Sequence, residues 1–238
     1  MIVTFDLLRF SSARAVGEVA RTIRHAPRDE ALLSEPIFVA RLNRLPFPVA
    51  SPRVCGMFGV WADRAAADAF AAHAPLARRW DEHAEEHLRL TFEPVSSHGT
   101  HMLEDPLPGL PHARMPDGPV AIITHGAAPG LREARAFWKH NPEAVRHLRR
   151  QPGVVWSTGW AARPHHANTL SVWRSIKDVT RFAYGEGDHR PQVKRLREER
   201  WSSETWFARL RPVASAGTWR GEDPLALLTS SRRADSNR

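Results

Sequence analysis

The chain contains the same pattern of apolar and polar residues twice, and this repeat restricts its fold more than any other feature. The segment MFGVWADRAAADAFAAHAP, from Met57, matches TLSVWRSIKDVTRFAYGEGDHRP, from Thr169, in the order and spacing of Val-Trp, Phe and His-x-Pro. Further on, PVSSHGTH (94–101) and PVASAGTW (212–219) agree at five of eight positions. A repeat of this length predicts two structural units of the same kind.

Each copy predicts the element order β-α-β-β-α-β. The segments IVTFDLLRF and VAIITHG are apolar and bounded by small or polar residues, as strands are, whereas SARAVGEVARTIRHA and LREARAFWKHNPEAVRHLRR have apolar residues at helical spacing. This order is that of a ferredoxin-like unit, which leaves one face of its sheet uncovered. Two such faces can be placed together, so we predict an α+β fold of two tandem ferredoxin-like units that form a fused dimeric α+β barrel.

The two copies are separated by LEDPLPGLPHARMPDG, a stretch rich in proline and glycine. Such composition is typical of a linker between domains. We therefore predict an N-terminal unit at 1–101, a linker at 102–118, a C-terminal unit at 119–220 and a tail at 221–238.

Composition and motifs exclude several classes of function. A single cysteine cannot form an intramolecular disulfide framework, and no Gly-x-Ser-x-Gly, P-loop or Gly-x-Gly-x-x-Gly motif is present. The net charge of +8 comes without a recognition motif for nucleic acid, so we expect no nucleic-acid partner. We find no signal peptide and no apolar run that would span a bilayer, and we expect a cytoplasmic protein.

The second copy also resembles a known family. The run LSVWRSIKDVTRFAY from Leu170, the following DHRPQVKRLREERW, and the close SSETWFARLRPVASAGTWRG are similar to the C-terminal region of the spheroidene monooxygenase family. The resemblance implies a haem-dependent monooxygenase that binds haem b and acts on an apolar or secondary-metabolite substrate. It also implies an external electron donor, a ferredoxin or a reductase, since the chain has no flavin or nicotinamide motif.

Given this resemblance, His189 is the candidate axial ligand of the haem iron. It follows the glycine-containing stretch GEGD, which the first copy lacks. Haem also needs cations for its propionates and an apolar slot, for which Arg190, Arg195 and Trp173 are candidates. His166 and His125 are candidate catalytic residues on the distal side, and they are also the alternative ligands.

Two further motifs have a simpler interpretation. The stretch HAEEH, His83 to His87, matches H-x-x-E-H, which on a helix would place both imidazoles on one face. It has no counterpart in the second copy and no third ligand, so we predict that it binds no metal. Cys55 lacks the basic surroundings that activate a thiol, and we expect a buried strand residue.

Two alternatives to a monooxygenase remain open from the sequence. One is a haem-dependent dehydratase that acts on an N-oxygenated substrate, and the other is a non-catalytic protein that binds haem or an apolar ligand. A homo-oligomer is compatible with all three.

Overall fold

The structure, a computed structural model, describes residues 1–24, 31–41, 49–110, 113, 115, 117–161, 165–184 and 203–228. Within these residues the chain forms a mixed α+β fold, as predicted. The elements are, in chain order, β1 (Ile2–Phe10), α1 (Ala13–Arg24), β2 (Leu33–Arg41), β3 (Val49–Trp61), α2 (Arg64–His73), α3 (Pro75–His83), β4 (Ala84–Gly99), β5 (Val120–Ala127), α4 (Leu131–Arg149), β6 (Val154–Ala161), β7 (His166–Trp173), α5 (Ile176–Tyr184) and β8 (Glu204–Gly217).

The described residues belong to two compact units. Unit 1 contains those within Met1–Val39, Ala50–Pro94 and Arg211–Arg238, and unit 2 contains those within Ala40–Val49 and Val95–Leu210. The boundaries predicted from the repeat, and the fused barrel, stay predictions. No helix in the described part of the chain is both long and apolar enough to cross a bilayer.

In unit 1 the helices cover one face of the sheet. Strand β1 pairs antiparallel with β3 and with β4, and alternate residues of a strand point to opposite faces. The even-numbered residues Ile2, Leu8 and Phe10 pack in the cluster that contains Trp61 and Trp80. The indole nitrogen of Trp61 donates a hydrogen bond to the Thr4 hydroxyl at 2.9 Å. A buried polar atom is thereby satisfied within the core.

Unit 2 has the same construction. Strand β5 pairs antiparallel with β7 and with β8, and β6 pairs with β7. Val120 and Trp173 pack with Leu148 of α4 and with Phe182 of α5 on the helix-covered face. Because Val120 faces the helices, strand alternation places His125 of β5 on the opposite face.

The stretch HAEEH is not helical, so our placement of both imidazoles on one helical face was wrong. Helix α3 ends at His83, and β4 begins at the next residue. Apolar residues occur at every second position at Leu88, Leu90 and Phe92, and β1 supplies a partner strand, with Leu7 opposite Leu88. Apolar residues that alternate along the chain beside a partner strand favour a strand, and they outweigh the helical spacing of two histidines.

Strands β4 and β8 both run into the same kind of turn. Gly99 and Gly217 have φ values of +93° and +72°, and in each case the next amide donates to a backbone carbonyl of a strand. An isolated bridge then closes each turn, between His101 and Glu104 in one and between Trp219 and Glu222 in the other. The turn after β4 is what places His101.

Candidate functional site

Three buried histidines lie together in unit 2. His101, His125 and His166 have exposed fractions of 4%, 3% and 4%. Their ring centroids are 4.3 Å apart for His101 and His125, 5.2 Å for His125 and His166, and 6.4 Å for His101 and His166. We call these three residues the histidine cluster.

Strand register explains how two of the three meet. His125 of β5 lies opposite Asn168 of β7, and His166 is two residues before Asn168, so both β7 side chains share one face. His125 Nδ1 lies 2.9 Å from Asn168 Oδ1. An amide oxygen only accepts, so this hydrogen bond requires the proton on Nδ1 and fixes the orientation of the ring.

A carboxylate lies beside the cluster. Glu204 opens β8, and its Oε2 is 3.7 Å from His125 Nε2, while its Oε1 accepts the Leu103 amide at 2.6 Å. Burial raises the pKa of Glu204, but hydrogen bonds from the Leu103 amide and the Thr100 hydroxyl, with the charges of His125 and His101, lower that pKa overall. The cluster therefore faces a negative charge at neutral pH.

A tryptophan forms the apolar wall of the cluster. The Trp206 ring centroid is 5.9 Å from that of His101, and the side chain is buried. The Trp206 indole donates to Ser97 Oγ at 2.8 Å, and Ser97 Oγ in turn donates to Asp105 Oδ1 at 2.9 Å. This chain of hydrogen bonds holds the indole in one orientation against His101.

The histidine cluster belongs to one copy of the repeat only. Ile2 pairs with Trp61 as Val120 pairs with Trp173, so the two registers can be aligned residue by residue. The positions of His125, His166 and His101 are taken in unit 1 by three apolar residues, which are Leu7, Val54 and Trp219.

The carboxylate, in contrast, is repeated. Glu86 accepts the Gly221 amide at 2.9 Å and the Thr218 hydroxyl at 3.3 Å, as Glu204 accepts from Leu103 and Thr100. Glutamate thus stabilises the turn in both units, and the three imidazoles are the addition that is specific to unit 2.

The structure brings two of the predicted site residues together and leaves another elsewhere. His125 and His166 are both buried in the cluster, and His166 is the first residue of β7. Trp173 packs in the helix-covered core, 5.3 Å from the Phe182 ring, and donates to Ser171 Oγ at 2.9 Å. The predicted haem residues His189, Arg190 and Arg195 lie outside the described residues.

Sequence reasoning missed His101, Asn168 and Glu204 as parts of the site. His101 stands where the other copy has Trp219, a difference that the repeat alignment already contains. Asn168 could have been found from the antiparallel pairing of β5 with β7, because it is the residue opposite His125.

Unit 1 contains a second, smaller polar cluster. The carboxylate of Asp6, fully buried, lies 2.9 Å from His87 Nε2 and 3.3 Å from Arg89 Nε, and His87 Nδ1 lies 3.3 Å from Asp81. Burial lowers the pKa of His87, but the hydrogen bonds and charges of Asp6 and Asp81 raise it overall. Among the described residues, no group of three His, Cys, Asp or Glu side chains has the arrangement to hold a metal ion.

Cys55 is buried in β3, as expected. Burial raises the pKa of its thiol to about 12, so the side chain is a neutral thiol at physiological pH.

Comparison with known proteins gives relatives with a named activity. No family model matches the chain. It is 34% identical over 175 residues to a protein of Rhodobacter capsulatus described as "Spheroidene monooxygenase". The match covers 70% of this chain and 72% of the relative. A protein of the same description from Cereibacter sphaeroides is 27% identical over 192 residues, or 79% of this chain, and the match spans 58% of that relative.

Among solved structures, an aldoxime dehydratase superposes on this chain with a TM-score of 0.58 at 10% sequence identity. The superposition covers 94% of this chain and 87% of the dehydratase. At this identity the similarity supports the fold and carries no statement about activity.

Proposed function

This chain belongs to the spheroidene monooxygenase family, and we propose that it is a haem-dependent monooxygenase that oxidises an apolar substrate of the carotenoid class. The observation that carries the proposal is the 34% identity to a relative of that description, over 72% of the relative. Monooxygenation inserts one oxygen atom of dioxygen into the substrate and reduces the other to water, with two electrons and two protons.

The described residues of unit 2 fit a haem site by their chemistry. Haem iron takes an imidazole as axial ligand, and the pocket around it is apolar with a few polar groups. Unit 2 has buried imidazoles beside Trp206, and Ile123 and Leu170 are buried on the same strand faces as His125 and Asn168. When bound, haem b would supply the activation of dioxygen.

We propose that His189 would hold the haem iron through its imidazole and that Arg190 and Arg195 would pair with the propionates. Trp173 packs against Phe182 of α5 on the helix-covered face, opposite the face that carries His125 and His166, so we do not assign it to the haem slot. The fused α+β barrel of two ferredoxin-like units is part of this proposal.

We assign His125 and His166 to proton transfer. The reduction of one oxygen atom to water consumes two protons, and a buried site needs side chains that carry them inward. Asn168 fixes the Nδ1 proton of His125, so that its Nε2 faces the Glu204 carboxylate and can take up or release a proton there. His166, with its ring centroid 5.2 Å from that of His125, is placed to exchange protons with it. The electrons come from a separate ferredoxin or reductase.

The cofactor and its ligand can be tested by absorption spectroscopy on the purified full chain reconstituted with haem b. We expect a Soret band that His189→Ala abolishes or shifts and that His73→Ala leaves unchanged. His73 is the matched control, because it holds the corresponding His-x-Pro position in the first copy and is exposed at the end of α2.

A wild-type band in His189→Ala would contradict the ligand assignment, and His166→Ala and His125→Ala would then be measured in that order. A wild-type chain that takes up no haem would contradict haem dependence itself. Binding of the proposed substrate class is measured separately, with spheroidene in detergent micelles as the carotenoid probe.

A further inference from the structure

The turn after β4 and the turn after β8 have the same backbone, but one of their two left-handed positions holds leucine in the first turn and glycine in the second. Met102 and Leu103 have φ values of +55° and +71°, and Arg220 and Gly221, at the corresponding positions, have +58° and +79°. Both turns are closed by the same bonds, since a glutamate accepts the amide of the fourth residue after the strand's last glycine, at 2.6 Å for Leu103 and 2.9 Å for Gly221. The same backbone position therefore holds leucine in one turn and glycine in the other.

Leucine is a poor choice for this position. A residue with a Cβ pays a steric penalty in the left-handed region, which glycine does not. Leu103 gains nothing from burial in return, because 86% of its surface is exposed, the largest exposed fraction among the large apolar side chains of the described residues. Residues with strained backbone that the surrounding structure holds in place are concentrated at functional sites.

The strained leucine is attached directly to the histidine site. Its amide binds one oxygen of Glu204, and the other oxygen of Glu204 is 3.7 Å from His125 Nε2. His101 of the cluster belongs to the same turn, two residues before Leu103. The corresponding turn in unit 1, which has glycine, has no histidine at the aligned positions.

We propose that Leu103 is a substrate-contact residue, which binds the apolar chain of the substrate at the edge of the histidine cluster. The proposal rests on the proposed function, in which the substrate is a carotenoid. A leucine side chain offers only apolar contact, and its contact with a hydrocarbon chain removes from water a surface that the free protein leaves exposed. The hydrogen bond to Glu204 holds the backbone of the turn, and the ligand covers the leucine side chain that the fold leaves exposed.

The test is the affinity of the purified full chain for spheroidene in detergent micelles, together with the melting temperature of the free protein. Leu103→Gly should weaken binding about tenfold, the effect of losing roughly half of a leucine's burial. The same substitution should raise Tm by about 2–4 °C, because it relieves the strain. Leu103→Met should retain binding, since its side chain offers a similar apolar surface.

The matched control is Gly221→Leu, which places the same residue at the same backbone position in unit 1. It should lower Tm by a similar amount and leave the affinity for the carotenoid unchanged. Both Tm shifts report backbone strain, with opposite signs, whereas a loss of affinity in Leu103→Gly alone reports ligand contact.

The outcomes distinguish a failure of the proposed substrate class from a failure of the proposed role of Leu103. Wild-type protein that does not bind the carotenoid would overturn the proposed substrate class, and with it this proposal. Unchanged affinity in Leu103→Gly, with normal binding by the wild type, would overturn the role of Leu103 alone. A lower Tm in Leu103→Gly would show a stabilising contact in the free protein and would also contradict the proposal. Dissociation of an oligomer with unchanged affinity would assign Leu103 to a contact between copies instead.

Discussion

Gly99 at the end of β4 is expected to be the most sensitive glycine near the histidine cluster. A Cβ added to Gly99 would lie closer than 3.0 Å to the carbonyl oxygen of Thr205, where ordinary contact begins at 3.4 Å. The same oxygen accepts the Thr100 amide at 2.9 Å, so the turn that carries His101 depends on this close approach of two backbones. Gly99→Ala should therefore destabilise unit 2 and displace His101.

The size of the effect follows from three contributions. The left-handed backbone, with φ of +93°, costs an alanine about 1–2 kcal/mol. Relief of the overlap requires the two backbones to separate, which weakens or breaks the Thr100 hydrogen bond, at a cost of about 0.5–1.5 kcal/mol. The remaining strain and lost packing are of the kind that costs roughly 1–3 kcal/mol in a close-packed core. We expect a loss of about 3–5 kcal/mol in the free energy of unfolding.

The control for this prediction is Gly109→Ala. Gly109 has φ of +76°, and no atom of the described chain lies within 4 Å of an added Cβ, so that only the backbone penalty of about 1–2 kcal/mol applies. Urea denaturation of both variants measures the difference. Equal losses in the two variants would contradict this prediction, since they would show that the close approach of Gly99 to Thr205 does not constrain the turn.

Three further predictions concern ionisation and metal binding. The pKa of His87 is raised by Asp6 and Asp81, so the stabilisation by protonated His87 is complete below about pH 6.5 and is lost as pH rises through its folded pKa. The urea midpoint of the wild type should fall as the pH rises from about 6.5 through the folded pKa of His87. A fall of the same size in Asp6→Asn would contradict the assignment of this pH dependence to the His87–Asp6 pair. Cys55, whose pKa is raised to about 12, should resist iodoacetamide at pH 8 until the chain is unfolded, and stoichiometric alkylation of native protein would show an activated thiol. His83 and His87 lie on different elements and should hold no zinc, a prediction that stoichiometric zinc lost on His83→Ala would overturn.

The sequence predicts the fold class well because the relevant signals are local and occur twice. Apolar runs such as IVTFDLLRF and VAIITHG form strands in both copies, and the α+β class follows from their order. The same local signals were wrong for HAEEH, where a helical spacing of two histidines competed with an alternating strand that pairs with β1. Pairing is a contact between distant parts of the chain, and a short motif contains no information about it.

The site was harder to predict than the fold for the same reason. His125 and His166 are both candidates from the sequence, but the cluster also needs His101, which reaches them through a turn whose shape depends on Gly99 and Glu204. A comparison of the two copies of the repeat would have identified His101 from the sequence. Residues that differ between two copies of one backbone, such as His101 against Trp219 or Leu103 against Gly221, are those that the fold does not require.

The proposed monooxygenase activity is tested most directly by whether an oxygen atom of dioxygen appears in the product. Full-length protein reconstituted with haem b, supplied with reduced ferredoxin and its reductase, is given spheroidene under ¹⁸O₂, and the product is analysed by mass spectrometry. We expect one ¹⁸O atom in the product per oxygenation, with loss of turnover in a His125→Ala variant that retains its haem. A product without label, or a reaction that proceeds without dioxygen and electrons as a dehydration does, would contradict the claim that this chain is a monooxygenase.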